Sequence, residues 1–228
     1  MLLIENLTVS YNEAEILKKI NMKVSDGEII ALIGKNGVGK TTLLKTVMGL
    51  LNARSGRIIF HEKDITNLLP NERANLGIGY VPQGREIFPY LTVFENLTVG
   101  LRSYGKTVMD EVLSFFPALK SIMNRQGGNL SGGQQQQLAI ARVLLRGPKL
   151  ILMDEPTEGI QPSVVFEIQE AIKKINEEKK VSILLVEQYL DFAIKVADYI
   201  YVIDVGRIVF EGKVKELEEK VIKNYLTI

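Results

Sequence analysis

Short apolar runs broken by turn residues open the chain, and apolar positions at helical spacing follow. Residues 2–9, 16–24, 28–33 and 57–60 read as β-strands bounded by Asn, Asp, Gly and Ser. Runs this short point to a mixed sheet. After Gly39 the apolar positions Leu43, Leu44, Val47 and Met48 share one helical face, and Gly49 is a natural stop. Strand, glycine loop and helix therefore follow in that order. Residues 88–130 carry a helical but less regular pattern, with Pro89 and Pro117 as breaks and a glycine pair at Gly127 and Gly128. Beyond it, runs 150–153 and 181–186 read as apolar strands. The helix between them turns Val164, Val165, Ile168, Ala171, Ile172 and Ile175 inward, which is α/β winding around a parallel core. The tail predicts a hairpin over 199–210 that turns at 204–207. An amphipathic helix follows, with Val214, Leu217, Val221 and Tyr225 inward and Glu216 paired with Lys220.

With 228 residues, 46% of them hydrophobic, the chain buries a substantial core without metals or disulfides and reads as a single domain over 1–228. Its 28 basic and 27 acidic side chains nearly cancel, so no strong field draws nucleic acid or an anionic membrane, and no nucleic-acid partner is expected. Cysteine is absent and His61 is the only histidine, which excludes a disulfide framework and a thiolate or multi-histidine zinc site. Glu5 interrupts the first apolar run, and no later run approaches the ~20 residues that span a bilayer, so neither export nor membrane embedding is expected.

Gly34-Lys35-Asn36-Gly37-Val38-Gly39-Lys40-Thr41 matches the P-loop pattern and lies between an apolar strand and a helix, as phosphate binding requires. Glycines let backbone N–H groups turn inward around phosphate oxygens, and the helix N-terminus adds a partial positive charge of roughly half a unit. Lys40 brings a full charge toward the β- and γ-phosphates, and Thr42 adds a contact to the α-phosphate. Thr41 offers a hydroxyl to Mg2+, an ion that takes oxygen ligands and keeps several waters. ATP and Mg2+ are thus the expected cofactors. Asp154 and Glu155 close an apolar strand, and a strand buried on both faces accommodates acids only at its C-terminal mouth, where open α/β sheets bind ligands. Asp154 is expected on the magnesium side, and Glu155 is placed to polarise the water that attacks the γ-phosphate. Leu130-Ser131-Gly132-Gly133-Gln134-Gln135 opens a helix that is apolar over 138–145 apart from Arg142, with Ser131 as its N-cap.

These three motifs, in this order and spacing, resemble an ABC transporter ATPase domain over essentially the whole chain. The resemblance implies an α/β fold: a P-loop NTPase core with a mixed sheet, an antiparallel β subdomain and a helical subdomain. Residues 1–87 and 150–228 would form the nucleotide-binding core and 88–149 the helical signature subdomain. It also implies that Ser131, Gly132 and Gly133 of one subunit close over ATP held by another, so a dimer is required, of two copies or of this chain with a related ATPase. Tyr11 is carried over as the aromatic that stacks on adenine, and Gln83 as the glutamine that reaches Mg2+ and the attacking water. The implied partners are two membrane permease subunits and, indirectly, a solute-binding protein. That places the chain in the cytoplasm, peripheral on the inner face of the cell membrane. Phe88, Tyr90, Leu91, Val93 and Phe94 offer apolar area on which a permease helix could dock.

Two positions depart from the common pattern of that family. Gln188 stands where a switch histidine usually contacts the γ-phosphate, and Gln161 replaces an aspartate. Glutamine at 188 still donates a hydrogen bond to phosphate but carries no proton, so Glu155 bears the catalytic burden. ATPases of branched-chain amino acid and urea importers share that glutamine. Segments 81–89, 157–163 and 187–189 resemble the urea type more closely, making uptake of urea or short amides the leading expectation and branched-chain amino acids the alternative. Two readings of another class stay open. A non-transport ABC ATPase acting on nucleic acid is disfavoured by the short single domain and balanced charge, and a regulatory module that holds ATP without turnover is disfavoured by Glu155.

Overall fold

The run at residues 29–33 has no polar position, and in the computed structural model, which describes residues 1–101, 103 and 105–216, it is an inner strand of a six-stranded sheet. In chain order the strands are β1 (Leu2–Tyr11), β2 (Ala14–Val24), β3 (Ile29–Ile33), β4 (Ser55–Phe60), β5 (Lys63–Asp64), β6 (Ile78–Val81), β7 (Leu150–Asp154), β8 (Ser182–Glu187), β9 (Tyr199–Asp204) and β10 (Arg207–Lys213). The helices are α1 (Lys40–Met48), α2 (Pro70–Asn75), α3 (Val93–Thr98), α4 (Lys106–Phe115), α5 (Pro117–Lys120), α6 (Gly132–Leu144), α7 (Pro162–Lys179) and α8 (Leu190–Val196). The larger sheet runs β10-β9-β3-β8-β7-β6, parallel except for β10 at one edge. A second sheet, β2-β1-β4-β5, is wholly antiparallel.

A strand covered on both faces sends alternate side chains into two cores. Ile29, Ala31 and Ile33 of β3, Ile151 and Met153 of β7, and Ile183 and Leu185 of β8 join one cluster with Leu97 of α3, Leu138 of α6, Ile172 of α7 and Ala193 of α8. Their neighbours Ile30, Leu32, Leu150, Leu152, Leu184 and Val186 face the opposite way. These join Leu43, Leu44 and Val47 of α1 and the inward residues of the antiparallel sheet, among them Leu2, Ile4, Leu17 and Ile58. The parallel sheet thus forms the wall between a helical layer and an antiparallel layer, as the α/β reading with its antiparallel part anticipates.

The short elements β5, β6 and α2 were not among the expected ones. Gly77 and Gly79 interrupt the apolar pattern around β6, which hides that strand from a periodicity reading. Val93, expected on exposed docking area, is fully buried at the start of α3, whereas Phe88, Tyr90 and Phe94 are exposed. The hairpin turns as expected, with Val205 and Gly206 at positive φ (42° and 76°) between the paired Asp204 and Arg207. Val214 packs partly against the core, while Leu217, Val221 and Tyr225, and Lys220 as the expected partner of Glu216, lie outside the described residues. No helix among the described residues is long and apolar enough to cross a membrane.

The C-terminus of α1 is fixed by a buried cation. Arg73 of α2 is 2% exposed. Its Nη1 donates to the carbonyls of Thr46 (2.7 Å) and Val47 (2.8 Å), its Nε to Leu68 (2.9 Å) and its Nη2 to Thr66 (2.8 Å). The last carbonyls of a helix lack intrahelical donors and carry partial negative charge, so a guanidinium suits this place. The Thr46 carbonyl keeps the Gly49 amide (3.1 Å), but Arg73→Met removes the donor from the Val47, Leu68 and Thr66 carbonyls at about 1–3 kcal/mol apiece, and a net loss of about 3 kcal/mol or more is expected. A circular dichroism melt should show the midpoint falling by roughly 6–12 °C for a chain of this size.

Candidate functional site

β3 delivers the chain into the P-loop under tight steric control. A Cβ at Gly34 would stand 2.5 Å from the Ile203 carbonyl oxygen of β9, so only glycine lets the loop leave the sheet here. Gly39, the N-cap of α1, has φ 112°, a conformation open to glycine, and no side chain caps the helix. The first N–H groups of α1 are thereby left for an anion. Lys40 is buried, and its Nζ donates to the carbonyls of Gly34 (2.8 Å) and Lys35 (3.0 Å) and pairs with Glu155 Oε1 at 3.0 Å.

β7 ends on the two expected acids. Asp154, 1% exposed, accepts from the Thr41 hydroxyl on Oδ1 (2.9 Å) and from the Tyr80 hydroxyl on Oδ2 (3.2 Å). Burial pushes its carboxyl above the ordinary range, against the pull of those two hydrogen bonds, and the neighbouring Glu155 adds to the rise. Burial and the adjacent Asp154 likewise push the Tyr80 hydroxyl well up. Glu155 takes φ 47°, a left-handed conformation that a non-glycine residue holds only when its surroundings enforce it. They do so from several sides. The Glu155 amide donates to the Val186 carbonyl (3.0 Å), and Gln83 Nε2 reaches Glu155 Oε2 (3.4 Å) and Glu158 Oε2 (2.9 Å). Arg85 Nη2 donates to the Glu158 carbonyl (3.1 Å).

Tyr11, Asn36, Gly37, Gly39, Lys40, Thr41, Thr42, Gln83 and Glu155 line one cleft of about 460 Å³, within the usual size of small-molecule sites. Tyr11 stands half exposed at the end of β1. Val38 instead packs toward the core. A larger cavity of about 920 Å³ lies outside this cleft, between α1, α2, β6 and α6, and is lined by Lys45, Tyr80, Phe88 and Arg142.

Other expected site residues are not brought here. Ser131 caps α6 in a reciprocal box with Gln134 (Gln134 N–H to Ser131 Oγ, 3.3 Å; Ser131 N–H to Gln134 Oε1, 3.1 Å), and neither it nor Gly132 or Gly133 lines the cleft. A Cβ at Gly133 would stand 2.4 Å from Val164 Cγ1, so α6 crosses α7 at close range. Gln188 is exposed and absent from the cleft lining, and Gln161 is the N-cap residue of α7. Sequence reasoning gave no role to Tyr80, Glu158 or Glu187. Glu187 carried a usable signal, since it closes an apolar run just as Asp154 does. It is 1% exposed, and it accepts from the Thr157 amide (3.1 Å) and hydroxyl (2.7 Å) on Oε1 and from the Gln188 amide (3.1 Å) on Oε2. Burial pushes its carboxyl up, opposed by these bonds.

The family model of the ABC transporter matches residues 17–158, which hold the P-loop, the Ser131 segment and the Asp154-Glu155 pair. The chain belongs to the ABC transporter family. This ABC ATPase is 38% identical to the probable branched-chain amino acid transport ATP-binding protein LivF of Archaeoglobus fulgidus, over 96% of this chain and 94% of that one. It is 40% identical to the high-affinity branched-chain amino acid transport ATP-binding protein BraG of Pseudomonas aeruginosa, over 92% and 91%. Its fold matches, at TM-score 0.83 and 28% identity over 95% of this chain and all of the other, a dimeric ATP-binding cassette bound to ADP and Pi after hydrolysis. The chain is therefore an ATP-hydrolysing transporter subunit with the ABC fold. Both named relatives concern branched-chain amino acids, so the narrowing to the urea type gains no support from them.

The raised Glu187 carboxyl yields a pH prediction. A carboxyl whose folded pKa lies above its unfolded value binds more protons in the native state, so its contribution to stability is present at low pH and is lost as pH rises through the folded pKa. Glutamine does not titrate in this range. The melting-temperature deficit of Glu187→Gln relative to the parent should therefore shrink as pH is raised from about 4 to about 7, measured by thermal denaturation across that range.

Proposed function

We propose that this ABC ATPase energises an importer of branched-chain amino acids through separate membrane permeases. The reading is carried by the convergence of Lys40, Thr41, Asp154, Gln83 and Glu155 about one cleft. The names of the A. fulgidus and P. aeruginosa relatives supply the substrate class. ATP lies along residues 34–42, with Gly34 leading the chain out of the sheet, Lys35, Asn36, Gly37, Val38 and Gly39 turning amides to its phosphates, Thr42 near the α-phosphate and Tyr11 on the adenine. The donor set suits Mg2+. Thr41 and Asp154 pair hard oxygens at 2.9 Å, and the described residues hold no cluster of three or more His, Cys, Asp or Glu that would cage an ion without substrate phosphates. When bound, Mg2+ neutralises charge on the transferring phosphoryl group, with Gln83 as a further ligand.

Phosphate oxygens compete with Glu155 for Lys40, because they carry more charge than one carboxylate. Glu155 is then released to accept a proton from the attacking water, and Gln83 orients that water. Ser131, Gly132 and Gly133 stand off the cleft of their own chain, so they complete the site of a second subunit, a copy or a related ATPase. The dimeric post-hydrolysis cassette supports that arrangement. Gln188 hydrogen-bonds the phosphate on closure. Residues 88–149 act as the signature subdomain beside a nucleotide core of 1–87 and 150–228. Exposed Phe88, Tyr90 and Phe94 face two permeases, and a solute-binding protein acts at one remove. The chain then works peripherally on the inner face of the membrane.

Copurification with two multispanning permeases, followed by reconstitution, tests this reading. ATP-driven uptake of leucine, isoleucine or valine is expected, with turnover in Glu155→Gln down at least 100-fold and MgATP binding retained. Uptake of urea alone would overturn the substrate class. Parental turnover in Glu155→Gln would overturn the role of that carboxylate, and a complex with nucleic acid in place of permeases would overturn transport.

A further inference from the structure

Glu187 sits where three segments of the site meet. Its backbone carbonyl accepts from the amide of Gly34, the first residue of the P-loop, at 3.4 Å. Its carboxylate accepts from the amide and hydroxyl of Thr157, two residues beyond Glu155, and from the amide of Gln188. The preceding residue, Val186, holds the Glu155 amide. The end of β8 thus grips the left-handed Glu155 turn twice, once through backbone and once through a side chain. No ion pair among the described residues involves Glu187, although it is 1% exposed. A buried carboxylate held only by neutral donors is a costly way to stabilise a fold, and an apolar residue of similar volume would cost less. Its value lies in geometry.

We propose that Glu187 is a positioning residue for ATP hydrolysis. Its carboxylate pins the strained turn that presents Glu155 and ties that turn to the segment of Gln188, so that the P-loop end of β3, the Glu155 turn and the Gln188 segment keep a fixed spacing. Nothing in this role touches nucleotide. The inference rests on the reading of Glu155 as the hydrolytic carboxylate. Glutamine at 187 keeps one acceptor for Thr157 but turns an NH2 toward the Gln188 amide, where donor meets donor; alanine removes both links.

The test uses the full chain assembled with its permeases, and compares the parent with Glu187→Ala, Glu187→Gln, Thr157→Val, the Glu187→Ala/Thr157→Val double variant and Glu155→Gln, all well below their melting transitions. Expected in Glu187→Ala are a fall in kcat on the order of 10–100-fold, MgATP affinity within about twofold of the parent, and a smaller loss in Glu187→Gln. Thr157→Val should add little in the Glu187→Ala background, because the two side chains act through one contact. Amide hydrogen exchange should quicken in peptides covering 155–158 and 188–189 of Glu187→Ala, with α1 unchanged. A residue that serves only the fold would lower melting temperature without this split between kcat and affinity. Parental kcat in Glu187→Ala, unchanged exchange at 155–158, or a proportional loss of nucleotide binding overturns the proposal while an inactive Glu155→Gln leaves the role of Glu155 standing. Turnover retained in Glu155→Gln removes that role, and the proposal with it.

Discussion

Three parallel strands buried on both faces can carry polar groups only where they end, and the site depends on that constraint. β3, β8 and β7 lie side by side, with Ile33 in register with Glu187 and Asp154 with Val186. Their interiors are wholly apolar, so the P-loop, the Glu187-Gln188 pair and the Asp154-Glu155 pair emerge along one edge of the sheet. The geometry of these strand ends follows from strand order more than from any single contact. Beyond β7 the chain turns at the left-handed Glu155, and the amides of Gly34 and Glu155 both donate to carbonyls at the end of the adjacent β8.

The electrostatics of this edge are settled by mutual satisfaction. Lys40 and Glu155 are both largely buried and pair at 3.0 Å, and two loop carbonyls complete the ammonium's partners. Asp154 and Glu187 have no cation in hydrogen-bond contact among the described residues and are held by hydroxyls and amides, which is why burial raises both carboxyls despite good geometry. Hydrogen-bond partners thus surround each of these buried charges.

A second layer of contacts reaches from this edge to α6. Arg85 joins the Glu158 carbonyl to Gln135 Oε1 in the first turns of α6, at 3.1 and 3.4 Å. Arg85 and Glu86 both adopt positive φ, 72° and 46°, and their carbonyls accept from Arg142 of the same helix, whose guanidinium stands over the Phe88 ring. The helix that carries Ser131 is thus mechanically joined to the turn that carries Glu155, although the two ends of α6 lie outside the cleft.

The sequence by itself determined the strand–loop–helix order, the placement of Lys40 and Thr41 at the head of α1 and of Asp154 and Glu155 at the close of β7, and the cap at Ser131. Each of these is local: a glycine pattern, an acid closing an apolar run, or a hydroxyl three residues before a glutamine decides it within one element. Only the tertiary structure decided which strand ends are neighbours, and therefore that Tyr80, Glu158 and Glu187 hydrogen-bond Asp154, Gln83 and Thr157 around the cleft, while Gln188 and the Ser131 segment stand apart from its lining in a single chain. It also decided that Val93 is core and that β6 exists across two glycines. These outcomes depend on contacts between residues far apart in the chain, such as Glu187 with Thr157 or Arg73 with Thr46. Periodicity carries no information about such pairs, because a side chain's partner is set by sheet order and helix packing and not by its own neighbours in sequence.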